Sequence, residues 1–294
     1  MLSIDKFLDY MKCELNRSKQ TVVSYEEDLK SFESYFKNLS ATLTWETIDT
    51  DVVRNWMENM MDRGNAATSV NRRLSALRAF YRFAMMRHYV ESDPVYRIRG
   101  PKKKRPLPQF LKEGDMDKLL DKQQWGEDYG SVRARTIIIM FYETGMRLSE
   151  LLNLNDDAVN FATQEVKATG KGNKQRIIPF GNELCEALRA YIELRNANVN
   201  RMSPALFLSD KGMRMSPEMV RRIVRMNLSR VSSLKKRSPH VLRHTFATAM
   251  LNHDAGIENL RKLLGHASVS TTEIYTHTTF EQLKRVYIEA HPRA

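Results

Sequence analysis

Residues 238–244 read SPHVLRH, and this stretch predicts a helix whose first turns bind an anion. A serine before a proline is a common helix start, with the serine as N-cap and the proline in the first turn. His240, Arg243 and His244 follow at spacings of three and four, so their side chains lie on neighbouring parts of one helix face. The free N–H groups at a helix N-terminus also favour negative charge. The stretch therefore predicts a phosphate-binding site.

A metal site is the alternative for the same residues, because His240 and His244 have the spacing of some zinc ligands. Arg243 lies between the two histidines and would repel a cation. The sequence has no HExxH motif, and its two cysteines, Cys13 and Cys185, form no ligand cluster. We therefore predict an anion site without a metal.

The residues after this helix include a candidate nucleophile. Gly265 is expected to end a helix over residues 260–264 and to present His266 on the next turn. Residues 270–273 read STTE, which has the spacing of a capping box and predicts the start of another helix. Tyr275 lies in the first turns of that helix. A tyrosine there usually packs in a core, but its place after a phosphate-binding site makes Tyr275 a candidate nucleophile.

The composition favours a polyanionic partner. The 294 residues include 47 Lys and Arg against 35 Asp and Glu, a formal net charge of +12. Nucleic acid is the first candidate for such a partner, ahead of an anionic membrane surface. The N-terminus has no apolar signal-peptide core, no stretch approaches ~18 apolar residues, and two cysteines suit a reducing compartment. These features predict a cytoplasmic protein.

The chain is expected to form two domains, which also fits its length. Residues 1–95 carry four amphipathic stripes and predict a small helical bundle. Residues 96–106 are basic and contain proline, so they predict an extended linker that crosses a DNA backbone. Residues 107–294 predict a mainly helical domain with a small antiparallel sheet, with candidate strands over residues 165–169, 176–180 and 205–208. The predicted fold class is mainly α.

Basic residues that lie off the apolar stripes are candidates for DNA contact. They are Arg72 and Arg73 on the fourth helix, Lys102, Lys103 and Lys104 in the linker, Lys174 in the hairpin, and Arg221 and Arg222 on a later helix. On that later helix, the stripe of Met219, Ile223 and Met226 predicts the buried face. An ordinary solvated face is the alternative for all of these basic residues.

Five short motifs, in this order, resemble the active site of the tyrosine recombinases. They are TGMRLSEL with Arg147, TGKGNK with Lys171, HVLRH with His240 and Arg243, LGH with His266, and IYTH with Tyr275. The terminal HPRA, residues 291–294, resembles the ending of the Xer-type members of that family. The resemblance extends over both domains. It implies a SAM-like core-binding domain over residues 1–95 and a catalytic domain over residues 107–294.

The resemblance implies a role for each motif residue. Tyr275 attacks the scissile phosphate and forms a 3′-phosphotyrosyl link, which the 5′-hydroxyl of a partner strand then attacks. The phosphate receives hydrogen bonds from Arg147, Arg243, His240 and His266. Lys171 protonates the leaving 5′-oxygen, with Lys174 as the alternative. Glu150 either orients Arg147 or is an ordinary surface glutamate. No ATP, metal or other cofactor is implied.

The resemblance favours a site-specific DNA recombinase that resolves chromosome or plasmid dimers in the bacterial cytosol and nucleoid. It implies a C-shaped clamp around DNA and a homo- or hetero-tetramer on two duplexes, with a second recombinase or a DNA translocase as a family-typical partner. Residues 280–294 would dock on a neighbouring subunit, through a partial apolar stripe formed by Phe280, Leu283, Val286 and Tyr287. Packing of this segment within its own chain is the alternative.

Four other functions remain open for this sequence, one of which is a zinc hydrolase that metal analysis of the purified protein would exclude. An integrase of a mobile element would use the same chemistry. A type IB topoisomerase-like enzyme would relax DNA without exchanging strands between partners. A DNA-binding protein without activity would keep the fold alone, although the complete set of motif residues argues against it.

Overall fold

The structure is a computed structural model that describes residues 2–103, 109–265 and 277–293, apart from the side chains of Lys171 and of residues 277–280. The chain divides into two compact units, Met1–Pro106 and Leu107–Ala294. Within the described ranges, no helix is long and apolar enough to cross a membrane.

The described part of the N-terminal unit is a bundle of four α-helices. They are α1 (Ile4–Asp9), which continues through a π-helical turn (Tyr10–Glu14), α2 (Lys19–Leu39), α3 (Thr50–Asp62) and α4 (Ala67–Met86). Their apolar stripes meet in a core where the Trp45 ring centroid lies 4.4 Å from that of Phe80 and 5.7 Å from that of Phe32. Aromatic contacts at these distances stabilise the bundle beyond the area they bury. The predicted helical bundle is confirmed.

The described part of the C-terminal unit contains eight α-helices. In order from α5 to α12, they span Glu113–Leu120, Tyr129–Thr144, Leu148–Asn153, Asn182–Asn198, Pro217–Val231, Pro239–Asn252, Ile257–Leu264 and His277–Ala290. α6 is central, since residues 133–144 are buried on every side and the helix packs against α8, α9 and α10. A helix that is buried all round belongs in the interior of a domain.

A small antiparallel sheet completes this unit. Its strands, in sheet order, are β1 (Val159–Asn160), β2 (Glu165–Thr169) and β3 (Gln175–Pro179). β2 and β3 form a hairpin whose turn has left-handed backbone at Gly172 (φ 72°) and Asn173 (φ 60°). Glycine and asparagine tolerate this conformation, so the Gly-Asn pair fixes the turn. The predicted mainly α fold with a small antiparallel sheet is confirmed.

The candidate strand over residues 205–208 is wrong, because this segment makes only isolated β-bridges. The Leu206 N–H donates to the Leu154 carbonyl (2.9 Å), and the Leu208 N–H donates to the Tyr191 hydroxyl (3.0 Å). The segment is buried, as its apolar sequence indicates, but apart from these bridges its backbone bonds mainly to a helix end and a side chain, so it does not form a strand.

The predicted apolar stripe of α9 is wrong in part, because Met219 and Ile223 are half-buried and pack against the core without forming its centre. The fully buried residues of the helix are Val220, Val224 and Leu228. Met226, which was expected to be buried, is 61% exposed. Both sets of residues have helical spacing, so spacing alone could not separate two stripes that lie one residue apart. Arg221 and Arg222 are exposed, as expected.

α12 packs within its own chain. Leu283 and Tyr287 are buried against α10 and α11. After the helix, His291 is buried, and its Nε2 lies 3.2 Å from the Tyr142 carbonyl oxygen. Two residues of the stripe predicted for a neighbouring subunit thus bury their side chains in the same chain, which was the alternative. Docking of residues 280–294 on a neighbour stays a prediction.

The end of α6 is closely packed at Gly145. The backbone of Gly145 is left-handed (φ 56°), and an added Cβ would lie 2.4 Å from a ring carbon of Phe246. We expect Gly145→Ala to lower the free energy of unfolding by about 2–5 kcal/mol, because backbone strain of about 1–2 kcal/mol adds to overpacking of about 1–3 kcal/mol. Gly172→Ala is the control, since Gly172 is left-handed too (φ 72°) but no described atom lies within 4 Å of its Cβ. Equal losses in urea unfolding would contradict the packing explanation.

Candidate active site

Arg147 is held in place by Glu150, three residues later in the chain. The Arg147 backbone N–H donates to Glu150 Oε2 (2.7 Å), and Arg147 Nη1 donates to Glu150 Oε1 (2.9 Å). One carboxylate thus fixes the backbone and the guanidinium of the same residue at the start of α7, as in a capping box. The Arg147 side chain is nevertheless 38% exposed. Its guanidinium is therefore oriented and still open to a ligand.

Glu150 is the buried centre of the site. Its side chain is 0% exposed, and it also accepts two hydrogen bonds from Arg176 of β3, Nη1 to Oε1 (2.7 Å) and Nη2 to Oε2 (2.8 Å). Burial acts to raise the pKa of this carboxyl, but the hydrogen bonds and charge of Arg176, followed by the hydrogen bonds of Arg147, outweigh burial and lower the pKa to about 2. Glu150 is therefore an anion, and the interpretation as an ordinary surface glutamate is wrong.

Arg243 lies in α10 and is 8% exposed. Its Nη1 donates to the Gly145 carbonyl, and its Nη2 donates to the Leu264 carbonyl (2.8 Å). Burial, followed by the charges of Arg147 and Arg176, lowers the pKa of this guanidinium to about 10. Arg243 is still cationic at neutral pH, so it adds a further positive charge to the cluster.

Three arginines converge on the last carbonyls of α11. Arg176 Nε donates to Leu263 (2.9 Å), Arg243 Nη2 to Leu264 (2.8 Å) and Arg147 Nη2 to Gly265 (3.3 Å). Gly265 ends the helix in a left-handed conformation (φ 62°). The last carbonyls of a helix lack partners within it and favour positive charge, so this helix end draws the guanidiniums together.

His240 lies in the first turn of α10, close to these charges. His240 is exposed at the surface, but partial burial of its imidazole, followed by the positive charges of His244 and Arg243, lowers the imidazole pKa. The imidazole is therefore mostly neutral at pH 7 and keeps a lone pair that can accept a proton. His244 itself is exposed.

The β2–β3 hairpin lies against Glu150. A Cβ added at Gly170, in the base of the hairpin, would lie 3.3 Å from Glu150 Oε1. The Gly170 N–H donates to the Lys174 carbonyl (2.8 Å), which closes the turn that carries Lys171. The Lys171 side chain is outside the described atoms, whereas the Lys174 side chain is exposed. The backbone of the turn is thus adjacent to the arginine cluster.

The structure brings four of the predicted site residues together, namely Arg147, Glu150, His240 and Arg243. Two others, His266 and Tyr275, lie outside the described residues. His266 follows Gly265 directly in the chain.

The candidates for DNA contact have different environments. Arg72 donates a hydrogen bond to the buried Asp28, and Arg73 Nε lies 3.7 Å from the same carboxylate. Both guanidiniums are thus engaged within the N-terminal unit, although the Arg72 side chain is 46% exposed. The other exposed candidates are Lys102, Lys103, Lys174, Arg221 and Arg222. Lys104 lies outside the described residues.

Arg176 was not predicted from the sequence as a site residue. The sequence did contain a signal that Arg176 is buried, namely its spacing of two residues from Ile178 in β3, which places both side chains on the buried side of the strand. A buried arginine requires an acidic partner, since an unpaired buried charge is costly. Glu150 is that partner, but its distance in sequence hid the pairing.

The central position of Glu150 predicts a large cost for removing its charge. We expect Glu150→Gln to lower the free energy of unfolding by about 3–5 kcal/mol, because two guanidiniums lose a buried counter-charge. The control is Glu218→Gln, which removes a surface ion pair with Arg221 (2.9 Å, side chains 76% and 56% exposed). It should cost less than about 1 kcal/mol. Similar costs for both variants in urea unfolding would contradict the central role of Glu150.

The same carboxyl predicts a pH dependence of stability. Its pKa is 4.5 as the ordinary value and about 2 in the folded protein. The stability that it contributes is therefore complete above pH 4.5 and is lost as the pH falls toward 2. Glu150→Gln should flatten the fall of unfolding free energy across this window, measured by urea unfolding at a series of pH values. An unchanged slope would show that the carboxyl titrates normally.

Both units of the chain match known protein families. Residues 109–282 match the phage integrase family, and residues 4–88 match the phage integrase N-terminal SAM-like domain. The chain is 34% identical to "Tyrosine recombinase XerC" of Pelotomaculum thermopropionicum over 301 residues, which cover 99% of this chain and 98% of that protein. It is 33% identical to "Tyrosine recombinase XerD" of Oceanobacillus iheyensis, with 99% of each chain covered.

Solved structures show the same fold. The XerH site-specific recombinase bound to palindromic difH substrate has a TM-score of 0.71 at 22% identity, over 96% of this chain and 83% of that chain. The Tn1549 transposon integrase in complex with transposon right end DNA has a TM-score of 0.72 at 18% identity, over 97% and 98% of the two chains. At these identities the likeness shows the fold alone.

Proposed function

The chain belongs to the phage integrase family of tyrosine recombinases, and we propose that it cleaves and rejoins DNA at a specific site as a Xer-type recombinase. Similarity to XerC and XerD proteins over 99% of the chain supports this function. The observation that carries it is the convergence of Arg147 and Arg243 beside the buried Glu150 carboxylate.

The charge of this cluster suits a phosphate. Arg147 and Arg176 bond one carboxylate and Arg243 adds its charge nearby, so a net positive charge remains. A phosphodiester is an anion, and its pentavalent transition state carries more negative charge than its ground state. Guanidiniums meet such oxygens with forked, charge-assisted hydrogen bonds. Losing one donor of this kind costs on the order of 10²–10³ in rate.

Strand cleavage is proposed to use Tyr275 as the nucleophile. Its phenolic oxygen attacks the phosphorus, the bond to the 5′-oxygen breaks, and a 3′-phosphotyrosyl link forms. Lys171 gives a proton to the leaving 5′-oxygen, and His266 adds a hydrogen bond to the phosphate. Free tyrosine has a pKa near ~10, so the neutral His240 imidazole is a suitable acceptor for the phenol proton.

Strand joining reverses these steps on a different strand. The 5′-hydroxyl of the partner strand attacks the phosphotyrosyl link, a new phosphodiester forms, and Tyr275 leaves. The covalent link keeps the energy of the original bond, so the reaction needs no ATP. The residues supply the charge and the proton transfers themselves, so the proposed chemistry uses no metal.

The assembly and the cellular role are the finer parts of the proposal. Exchange between two duplexes breaks four strands, which supports a homo- or hetero-tetramer with one nucleophile for each strand. Exposed basic residues of the linker and of α9 are available for phosphate contacts; they include Lys102, Lys103, Arg221 and Arg222. We propose resolution of chromosome or plasmid dimers in the bacterial cytosol as the cellular role, and the similarity to XerC and XerD proteins supports it.

Two assays separate this function from its alternatives. A type IB topoisomerase-like enzyme would relax a supercoiled plasmid and would produce no recombinants from a plasmid with two target sites. A mobile-element integrase would recombine two different sites, whereas a dimer-resolving enzyme recombines two copies of one site.

We predict that Tyr275→Phe abolishes covalent capture of DNA, because the variant lacks the attacking oxygen. The substrate is a duplex with a nick near the scissile phosphate, so that cleavage traps the protein on the DNA. The covalent adduct is measured by denaturing gel electrophoresis, and DNA binding by a mobility shift. Tyr10→Phe is the control, since Tyr10 lies in the N-terminal unit. An adduct with Tyr275→Phe at the wild-type level would show that another residue is the nucleophile.

Binding of DNA is predicted to depend steeply on salt. With about eight phosphate contacts, the logarithm of the binding constant should fall with the logarithm of salt concentration at a slope of roughly −7. Arg222→Gln should reduce the magnitude of that slope by about 1, because it removes one phosphate contact. Lys30→Gln is the control, since Lys30 is bonded to Glu26 on α2. A flat salt response would contradict DNA as the partner.

A further inference from the structure

We propose that Arg176 is a positioning residue for strand cleavage, which aligns the Arg147 guanidinium on the scissile phosphate by holding the Glu150 carboxylate. This inference rests on the proposed recombinase function. Arg176 is 8% exposed and lies in β3, beyond the hairpin that carries Lys171. It therefore acts from beneath the site rather than by touching the DNA.

The hydrogen bonds of Arg176 use all three nitrogens of its guanidinium. Nη1 and Nη2 donate to the two oxygens of Glu150 (2.7 and 2.8 Å), and Nε donates to the Leu263 carbonyl (2.9 Å). A fork of this kind fixes the plane of the carboxylate, which a single hydrogen bond would leave free to rotate. Arg147 binds the same two oxygens through its Nη1 and its backbone N–H, so the fixed plane sets the position of its guanidinium.

Arg176 also changes the charge that Arg147 presents. A carboxylate paired with Arg147 alone would offset most of the charge of that guanidinium. Because Arg176 shares the same carboxylate, part of the Arg147 charge stays uncompensated, and a phosphate can use it. The exposure of Arg147 (38%) against that of Arg176 (8%) shows which of the two guanidiniums is open to the ligand.

Arg176 joins three segments of the site. It belongs to the hairpin strand β3, it bonds Glu150 of α7, and it bonds the end of α11. A Cβ added at Gly265 would lie 3.1 Å from Arg176 Cδ and Nη1, so the Arg176 side chain packs directly beneath the turn that precedes His266. A shift of Arg176 would therefore move the supports of Arg147 and of this turn together.

A matched control exists within the same unit. Arg195 is also buried (1% exposed), donates to both oxygens of Asp156 (2.8 and 2.9 Å), and donates to the Leu206 carbonyl (2.8 Å). Like Arg176, it makes a forked pair with a carboxylate and reaches a main-chain carbonyl, although here the carbonyl bond comes from Nη1, and Nε and Nη2 also donate to Asn196 Oδ1 (3.1 and 2.9 Å). None of these partners belongs to the arginine cluster. Arg195→Lys therefore removes a comparable buried fork from the same unit without the link to Arg147.

The test compares two scissile groups, a natural phosphodiester and a methylphosphonate, in single-turnover formation of the covalent adduct. The methylphosphonate has a methyl group in place of one charged oxygen, so it needs less stabilisation from a guanidinium. We expect Arg176→Lys to slow cleavage of the phosphodiester by about 10- to 100-fold, a part of the loss for a missing donor. Most of that loss should disappear on the methylphosphonate. Arg195→Lys should show the same rate ratio between the two substrates as the wild type.

Glu150→Gln provides a second variant, because it weakens the same link and keeps the shape of the side chain. Since it is also destabilising, both variants are assayed at a temperature at which urea unfolding shows them folded. It should show the same selective loss on the phosphodiester. In the double variant, the loss should be no greater than in the worse single variant, since both act through one path.

Three results would overturn the inference. The first is an equal loss of cleavage rate on both substrates, and the second is an equal substrate-selective loss in Arg195→Lys. The third is a rescue of Arg176→Lys only by a substrate with sulfur at the 5′-bridging position, whose leaving group needs no proton, because Arg176 would then act through Lys171. The wild-type protein distinguishes a failure of the recombinase function from a failure of the role proposed for Arg176. Without an adduct from the wild type on its target site, the recombinase function itself fails; with that adduct, these results concern Arg176 alone.

Discussion

The Glu150 carboxylate, buried between two guanidiniums, is the interaction on which the site depends. Arg176 holds it from the interior, and it holds Arg147 toward the solvent. Taking a carboxylate out of water is unfavourable by several kcal/mol unless cations and hydrogen bonds compensate it. Here four hydrogen bonds meet two oxygens, and the pKa falls to about 2 in spite of burial. The anion is permanent, so the position of Arg147 does not change with pH in the physiological range.

The fold supplies the remaining constraints through helix ends. Left-handed glycines end α6 and α11, and the carbonyls at both ends accept hydrogen bonds from Arg243. Helix C-termini attract cations, while the first turn of α10 brings His240 and an anion-binding N-terminus to the same region. Burial, followed by the positive charges of Arg147 and Arg176, lowers the pKa of Arg243, so the neighbouring guanidiniums repel one another in the free protein. A bound phosphate would relieve that repulsion, so the same positive charges disfavour the empty site and favour binding of the anion.

Much of this arrangement could be predicted from the sequence, because local patterns encode it. The SPHVLRH stretch predicts the helix start and its cluster, and Gly-Asn in the hairpin predicts the turn that carries Lys171. The pairing of Glu150 with Arg176 could not be predicted, since it joins residues 26 apart whose contact depends on the path of the sheet. The buried face of α9 was predicted incorrectly for a related reason. Val220 and Met219 fit helical spacing equally well, and only the contacts of the helix with the rest of the domain determine which of them is fully buried.

A structure of the protein bound to an uncleaved duplex that contains its target site tests the central claim most directly. The distances to be measured are those from the nonbridging oxygens of the scissile phosphate to the guanidinium nitrogens of Arg147 and Arg243. Both should be about 2.7–3.1 Å, the range for donors that stabilise a developing anion, with Glu150 still bonded to Arg147. A scissile phosphate that contacts neither guanidinium would contradict the account.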